Sequence, residues 1–394
     1  MNITITPTLL CGTVNAIPSK SQAHRLLICA AFADKPTTLI CPETNQDIDA
    51  TVSCLNALGA HICRTENGYK ISPILHVPQS AVLHCGESGS TLRFMLPVAA
   101  ALGVDTTFVL EGRLPQRPMS PLWEELERMG CQLTRPETNA IRCTGKLQCG
   151  KYEMSGKVSS QFITGLLFAM SIMDGVSTLE ITDELESKPY VDMTKDALKT
   201  FSVCTNDNKI HGSVPLSSPG CIHVEGDWSN AAFFLTASAI GNNVNTTGLN
   251  KDSKQGDKAV SLILDQLKNN AVIDCKDIPD LVPILSVAAA AHKGAIFTNI
   301  QRLRLKESDR VEAVLNMLHA FGINAFAEEN ALHVQPGKFH SCTVDSCNDH
   351  RIAMATAIAA TIATGPVTIL NGQCVSKSYP KFWQDYRTLG GKYE

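Results

Sequence analysis

The chain has 394 residues, of which 44% are hydrophobic and 18% are charged, and its formal net charge is -4. This length suggests two or three domains with cores of their own and excludes a small scaffold held together by disulfides. The acidic balance argues against nucleic acid as a partner, because binding to a phosphate backbone usually requires a strong basic excess or stripe.

The N-terminal residues MNITITPTLLCG lack the basic region and the continuous apolar run of a signal peptide. The most apolar stretches, such as residues 350–365, are shorter than the about 20 residues that cross a bilayer. We therefore expect a cytoplasmic protein without a membrane segment. The 15 cysteines include no CxxC pair, so we interpret them as reduced thiols. Metal ligation is the alternative to burial for Cys342 and Cys347, but their spacing fits no usual zinc pattern.

Six segments share one pattern, in which small polar or charged residues precede a stretch rich in Ala, Leu and Ile that ends at a breaker, usually Gly. Residues at equivalent places near their starts are separated by 70, 70, 67, 53 and 70 residues, and these are Lys20, Ser90, Ser160, Asp227, Asp280 and His350. Polar starts are typical of N-caps, and apolar residues on nearly every face indicate helices that are buried on all sides. The chain therefore contains a repeated unit.

Amphipathic helices are predicted between these segments, at DATVSCLNALGA, PLWEELERMGC and DRVEAVLNMLHAFG. Hairpin-like runs such as HICRTENGYKI and INAFAEENALHV follow them. Each unit then has the order βαβαββ, and six units predict an α/β chain with two lobes of three units. The N-terminus of a helix attracts anions, so the polar residues at the six buried helices are candidates for binding phosphates and carboxylates.

The first candidates in chain order are Lys20, Ser21 and Arg25, which lie on the first turns of one predicted helix; a solvated helix start is the alternative. The loop Gly86–Arg93 follows, where Gly89 allows close approach of an anion, Ser90 caps the helix or binds the ligand, and Arg93 pairs with an anionic group. A capping turn explains this loop equally well. Arg117 lies in a proline-stiffened loop and is a candidate for binding an anion; an ordinary surface loop is the alternative.

Hydroxyl and amide side chains open the next segments: Ser159, Ser160 and Gln161 begin the third buried helix, and a rigid turn presents Ser187 and Tyr190. Helix capping is the alternative role of Ser159, Ser160 and Gln161.

The C-terminal half supplies the charged candidates. Asp280 is either an N-cap or a base, and the alternating run from residue 302 predicts a strand leading into a helix capped by Ser308. The candidates in and after that run are Lys306, Glu307, Arg310, His350, Arg351 and Lys377. Each has an ordinary structural explanation, but those explanations do not account for the recurrence of polar clusters at equivalent places in a chain that is acidic overall.

Together these motifs resemble the 5-enolpyruvylshikimate-3-phosphate synthase family, in the order of that family and from Lys20 to Lys377. The matching stretches are SKSQAHR, GESGSTLR, RLPQRP, SSQF, SKPY, IPD, LKESDR, DHR and CVSKSYP. The resemblance implies the two-lobed enolpyruvyl transferase fold with six βαβαββ units. It also implies a discontinuous first lobe, made of residues 1–17 and 226–394, a second lobe of residues 18–225, and an active site in the cleft between them.

The implied reaction transfers the enolpyruvyl group of phosphoenolpyruvate to the 5-hydroxyl of shikimate 3-phosphate by addition and elimination, a step of aromatic amino acid biosynthesis. The expected shikimate 3-phosphate residues are Lys20, Ser21, Arg25, Ser159, Ser160, Gln161, Ser187, Tyr190, Asp280 and Lys306. The expected phosphoenolpyruvate residues are Lys20, Gly89, Arg93, Arg117, Gln161, Arg310, Arg351 and Lys377. The expected catalytic residues are Asp280, Glu307, Lys20, Lys377 and His350.

In the family's terms Asp280 matches the proton acceptor and Glu307 the proton donor, while Lys20 is an alternative acceptor. The resemblance implies no metal or organic cofactor, a monomer, and inhibition by glyphosate. Three positions depart from the usual pattern: Glu87 stands for Asn, Ser90 for Thr, and Arg302 for Asn.

Two other functions compete with this one. A UDP-N-acetylglucosamine enolpyruvyl transferase shares the architecture and donor but usually carries a Cys in the loop that here reads Arg113-Leu114-Pro115-Gln116-Arg117-Pro118. A non-catalytic repeat or clamp protein would need no matched acid, base and pair of anion sites.

Overall fold

A computed structural model describes residues 1–206, 208–212 and 215–394. Its α-helices, in chain order, are α1 (Lys20–Ala31), α2 (Gln46–Ala57), α3 (Gly89–Leu102), α4 (Leu122–Arg128), α5 (Ser160–Ile172), α6 (Lys188–Thr200), α7 (Trp228–Ala239), α8 (Val260–Gln266), α9 (Val282–Ala291), α10 (Arg310–Ala320), α11 (His350–Ala360) and α12 (Phe382–Thr388). The three amphipathic helices predicted from the sequence are confirmed as α2, α4 and α10.

The strands are short and lie between these helices. In chain order they are β1 (Ile3–Thr6), β2 (Cys11–Asn15), β3 (Thr37–Ile40), β4 (His61–Thr65), β5 (Gly68–Ser72), β6 (Ser80–Gly86), β7 (Asp105–Leu110), β8 (Cys131–Thr134), β9 (Ala140–Gly145), β10 (Lys151–Met154), β11 (Val176–Ile181), β12 (Lys209–His211), β13 (Cys221–His223), β14 (Asn243–Thr247), β15 (Ala271–Asp274), β16 (Ala295–Thr298), β17 (Ala325–Ala327), β18 (Ala331–Val334), β19 (Cys342–Asp345), β20 (Val367–Leu370) and β21 (Lys392–Tyr393).

The chain divides into two compact units. One combines Met1–Ile17 with Glu225–Glu394, and the other is Pro18–Val224. Each unit has its own hydrophobic core, built around α7, α9 and α11 in the first and around α1, α3 and α5 in the second. We call them the discontinuous unit and the continuous unit.

Each unit contains three sheets. The continuous unit has the strand orders β13-β3-β5-β4, β6-β7-β9-β8 and β10-β11-β12, and the discontinuous unit has β15-β16-β18-β17, β19-β20-β1-β21 and β14-β2. In every sheet one pair of strands is parallel, which requires a crossover connection. Between β6 and β7 the buried helix α3 supplies it. The predicted α/β class with six repeats is confirmed. Within the described residues, two of the repeats have fewer strands than the full unit.

Close packing of α3 against α5 fixes the start of both helices. Gly165 on α5 makes the contact possible, because a Cβ at this position would lie 2.2 Å from the carbonyl oxygen of Arg93 on α3. Almost every residue of α3 from Thr91 to Ala101 is buried, as the apolar run predicted. Burial of this kind stabilises by about 25 cal/mol per Å² of apolar surface, so packing in the core holds the two helix starts together.

Three local predictions were wrong. The run after residue 302 is not a strand, because β16 ends at Thr298 and the chain turns at Asn299 with φ 59° into a 3₁₀-helix, Gln301–Leu305. The N-cap of α10 is Asp309 rather than Ser308, whose hydroxyl donates instead to Asp349 at 3.0 Å. Cys347, expected to be buried, is exposed.

Candidate active site

The first candidate residues lie at the start of α1. The side chain of Ser19 caps this helix, and Lys20 follows as its first residue. The Lys20 ammonium donates to Asp47 Oδ2 at 2.9 Å, and Asp47 belongs to the first turn of α2. This ion pair holds the lysine beside a helix N-terminus, where the backbone adds positive potential.

Arg25 connects α1 to α6 inside the continuous unit. Its guanidinium donates to Ser21 O at 2.6 Å, to Thr194 Oγ1 at 2.9 Å and to Tyr190 O at 2.8 Å. Burial lowers the pKa of Arg25 to about 10, so the side chain remains protonated at neutral pH. The bonds place Ser21 and Tyr190 close to one buried positive charge. Ser187 lies one turn before Tyr190, at the N-cap of α6, with φ 54°.

The glycine-rich loop leads into α3, and Ser88 rather than Ser90 is its N-cap, since Ser88 Oγ accepts from Thr91 N at 3.2 Å. Gly89 is the first residue of the helix. A Cβ built on Gly89 would lie 2.6 Å from Arg117 Nη1. The Arg117 guanidinium therefore rests against the bare glycine at a helix N-terminus, which is a favourable place for an anion.

Gln161 joins the starts of α3 and α5. Its side-chain oxygen accepts from Arg93 Nη1 at 2.7 Å, and its amide nitrogen donates to Ser90 Oγ at 2.9 Å. Ser159 caps α5 and Ser160 begins it, and both are buried. The structure thus brings the sequence-predicted residues of the third buried helix to those of the second.

In the discontinuous unit, Asp280 is the centre of a group of charged residues. Its Oδ1 accepts from Arg310 Nη1 at 2.8 Å and lies 3.7 Å from Lys306 Nζ, and its Oδ2 accepts from Arg351 Nη2 at 3.0 Å. Asp280 does not cap α9, whose N-cap is Leu281. We call the Asp280 cluster the set Asp280, Lys306, Glu307, Arg310, Asp349 and Arg351.

Arg310 is fully buried and binds three carboxylates of this cluster. Besides Asp280, it donates to Glu307 Oε2 at 2.7 Å and to Asp349 Oδ2 at 3.0 Å. Burial disfavours its charge, but Asp349, Glu307 and Asp280 outweigh that effect and raise the pKa of Arg310. Conversely, the pKa of Asp349 is lowered, because Arg310 overcomes the effect of burial. The ion pairs fix Glu307 and Asp280 on either side of one guanidinium.

Lys306 is the titratable cation of the cluster. Burial lowers the pKa of its ammonium to about 8; the Asp280 carboxylate opposes this shift, and Arg302 and Arg310 add to it. Arg302, one of the departures from the family pattern, thus lies close enough to repel Lys306. With a pKa of about 8, the Lys306 ammonium is mostly charged at neutral pH.

The last two candidates lie at the C-terminal repeat. His350 is buried and is the first residue of α11, directly after the N-cap Asp349. Lys377 ends the 3₁₀-helix Gly372–Lys377, and its ammonium donates to Asn348 O at 2.9 Å. The backbone at Asn348 thus connects Lys377 to the start of α11.

Sequence reasoning missed several groups that hold these residues. They are Asp47 beside Lys20, Thr194 beside Arg25 and Asp349 beside Arg310. Asp349 was visible in the motif DHR, but the others had no local signal. Asp47 gave no signal, because acidic residues are common in the first turn of a helix, where the helix dipole favours negative charge.

The part of the chain that the structure describes contains no group of three His, Cys, Asp or Glu side chains arranged to hold a metal ion. A search of the same residues for a helix long and apolar enough to cross a membrane found none.

Comparison with known proteins identifies the family. The model of EPSP synthase (3-phosphoshikimate 1-carboxyvinyltransferase) matches residues 5–386. The chain is 39% identical to a 3-phosphoshikimate 1-carboxyvinyltransferase of Clostridium kluyveri and 36% identical to one of Clostridium beijerinckii, covering 100% of this chain and 98% of the relative in both cases.

Solved structures give the same result. An EPSP synthase of Acinetobacter baumannii is similar with a TM-score of 0.82 and 25% identity, over 100% of this chain and 99% of that one. The enolpyruvyl transferase NikO of Streptomyces tendae, at 15% identity and a TM-score of 0.77 over 100% of this chain and 98% of that one, shares the fold. The family model spans nearly the whole chain and the relatives match it from end to end, so the chain belongs to the EPSP synthase (3-phosphoshikimate 1-carboxyvinyltransferase) family.

Proposed function

We propose that the residues described above carry out the enolpyruvyl transfer of this family. The chain is a transferase of aromatic amino acid biosynthesis, with phosphoenolpyruvate as donor and shikimate 3-phosphate as acceptor. Both substrates are anions, and buried cations are the feature that both units share. The match to this family sets aside the functions of the sibling enolpyruvyl transferase and of a non-catalytic clamp.

Shikimate 3-phosphate is assigned to the hydroxyl, amide and cationic groups around α1, α5 and α6, together with Asp280 and Lys306. In full, the proposed residues are Lys20, Ser21, Arg25, Ser159, Ser160, Gln161, Ser187, Tyr190, Asp280 and Lys306. The buried guanidinium of Arg25 and the hydroxyls at the start of α5 support this assignment, because a phosphate needs several donors at once.

Phosphoenolpyruvate is assigned to Lys20, Gly89, Arg93, Arg117, Gln161, Arg310, Arg351 and Lys377. The contact of Arg117 with Gly89 supports a phosphoenolpyruvate site there, since a guanidinium and a helix N-terminus, which both attract anions, lie side by side. Arg310 and Arg351, which both donate to Asp280, support a second site for an anionic group of phosphoenolpyruvate.

In the proposed mechanism the 5-hydroxyl oxygen bonds to the enol ether carbon, its proton passes to Asp280, and the methylene gains a proton from Glu307. The methyl group then returns a proton to Glu307, the carbon–oxygen bond to phosphate breaks, phosphate leaves with the proton that Asp280 took, and the product is the enol ether on the acceptor oxygen. Lys20, Lys377 and His350 complete the catalytic set by stabilising charge that develops on the donor. Positioned proton transfer accelerates such steps by typically about 10²–10⁴-fold.

The observation that carries these assignments is the Asp280 cluster, where one guanidinium holds both proton-transfer carboxylates. The test is release of phosphate from the two substrates by Lys20→Met, Lys377→Met and the control Lys392→Met. We expect large losses in the first two variants, because both cations face the donor, and almost none in the third. Equal activity in all three variants would refute the site assignment.

We also propose a cytoplasmic monomer whose two lobes are residues 1–17 with 226–394 and residues 18–225. The bounds of the two compact units support this division, and the net charge of -4 favours small anions bound by local cations over nucleic acid. Sedimentation equilibrium measures the oligomeric state directly.

A further inference from the structure

Asp257 is a buried carboxyl group for which the mechanism above has no role. It lies in the 3₁₀-helix Gly256–Ala259 of the discontinuous unit and is 1% exposed. Gln255, two residues before Asp257, accepts from Trp228 N at 3.0 Å and donates to Gly226 O at 2.9 Å. These bonds fix the loop at the start of α7 and so fix the position of Asp257.

The surroundings of Asp257 are mostly unfavourable to a negative charge. Ser229 of α7 donates a hydrogen bond to Asp257 Oδ2. The charged groups that act on it are Asp227 at the N-cap of α7, Asp280 before α9, and Arg351 on α11. Burial raises the pKa of Asp257 to about 7, the Asp280 carboxylate adds to the effect, Arg351 and Ser229 oppose it, and Asp227 adds a smaller increase.

The charges of the Asp280 cluster explain why one more anion is costly there. The cluster contains three cations, Lys306, Arg310 and Arg351, and three carboxylates, Asp280, Glu307 and Asp349, joined by the contacts given above. It is balanced when every member is charged. An ionised Asp257 adds a negative charge to this balanced group, and Arg351, a cation that acts on Asp257, is also the residue that binds Asp280 Oδ2.

We propose that Asp257 is a positioning residue that holds a proton in the active enzyme, and that this proton keeps Arg351 bound to Asp280 and available to the anionic donor. When Asp257 loses the proton, its carboxylate attracts Arg351 away from that place and weakens the positive potential that phosphoenolpyruvate requires. This role rests on the proposed function, because Arg351 is assigned there to the donor.

The first test observes the proton itself and needs no activity. Infrared spectra of protein with ¹³C-labelled aspartate are recorded for wild type, Asp257→Asn and Asp265→Asn, a matched change on α8 whose side chain is 73% exposed. At about pH 6 we expect a carboxylic acid band in wild type and in Asp265→Asn that is missing in Asp257→Asn, and it disappears by about pH 8.5. A wild type without this band at about pH 6 overturns the proposal.

Ser229→Ala gives a second reading that a merely structural aspartate would not produce. The hydroxyl stabilises the ionised form of Asp257, so its removal raises the pKa, and the band should persist to higher pH than in wild type. A band that disappears at the same pH as in wild type, or at a lower one, contradicts the assigned contact.

The functional test is the pH dependence of kcat/KM for phosphoenolpyruvate. The ratio of Asp257→Asn to wild type should be near unity at about pH 6 and rise about three- to tenfold at about pH 8.5, since only wild type acquires the extra charge. A ratio that is constant with pH means that Asp257 has only a structural role. If the infrared band appears as expected while neither protein releases phosphate, the proposed function fails and the protonation of Asp257 stands.

Discussion

Arg310 Nη1 donates to Asp280 Oδ1 at 2.8 Å, from a guanidinium that has no exposure to solvent. The same guanidinium binds Glu307 and Asp349, so one cation contacts three carboxylates. Both proton-transfer candidates therefore contact a single buried side chain, and its loss should affect stability as well as catalysis.

Arg310→Met should destabilise the protein by about 3–5 kcal/mol, because its removal leaves the fully buried Asp349 carboxylate without the cation that it binds. Arg304→Met is the matched control: Arg304 also binds two carboxylates, Asp309 and Glu312, but at the surface, and its loss should cost less than about 1 kcal/mol. Urea unfolding measures both. Similar free energies of unfolding for the two variants would mean that burial of the Arg310 network contributes little.

Glu307→Gln should bind shikimate 3-phosphate nearly normally while turnover falls by about 10²–10⁴-fold, because the amide keeps the shape of the acid but cannot supply its proton. Calorimetry gives the affinity and phosphate release gives the turnover. Glu312→Gln on α10 is the control, because it makes the same chemical change at a side chain that is 55% exposed to solvent. It should leave the affinity and the turnover unchanged. Loss of binding without a separate loss of turnover would count against Glu307 as the acid.

Affinity for shikimate 3-phosphate should fall as the pH rises through about 8, the pKa to which burial lowers Lys306. Below that pH the ammonium is charged and attracts the substrate; above it the amine is neutral and the attraction is lost. Lys306→Arg should remove this dependence, because a guanidinium stays protonated throughout the range. The measurement is the dissociation constant at about pH 7 and about pH 9. An equal decline in wild type and Lys306→Arg would assign the titration to another group.

Gly89→Ala should lose much more affinity for glyphosate than for phosphoenolpyruvate. The added methyl group would lie 2.6 Å from Arg117 Nη1, so the end of that flexible side chain must move. The inhibitor extends farther than the natural donor and is expected to meet the displaced group first. Inhibition constants measured at matched donor saturation decide this. An unchanged ratio between wild type and variant would show that Gly89 does not line the donor site.

Periodicity and end signals were sufficient to predict the repeat. Buried helices such as α3 and α11 were recognisable because apolar residues occupy all their faces between a polar start and a breaker. The hairpins β4–β5 and β17–β18 were confirmed for a similar reason, since their signals lie within a dozen residues. Local signals did not separate Ser308 from Asp309 as the cap of α10, because both residue types are good N-caps.

The sequence by itself determined the family, the βαβαββ repeat and the candidate cations at the helix starts, because these depend on short-range patterns and motif order. Only the tertiary structure decided which carboxylate each cation meets. Lys20 pairs with Asp47, which is 27 residues away in the sequence, and Arg351 pairs with Asp280, which is 71 residues away. Asp257 shows the same limit, because in the sequence it is only an acidic residue in a polar turn. Its raised pKa arises from burial and from the nearby Asp280 carboxylate, and folding creates both the burial and the proximity.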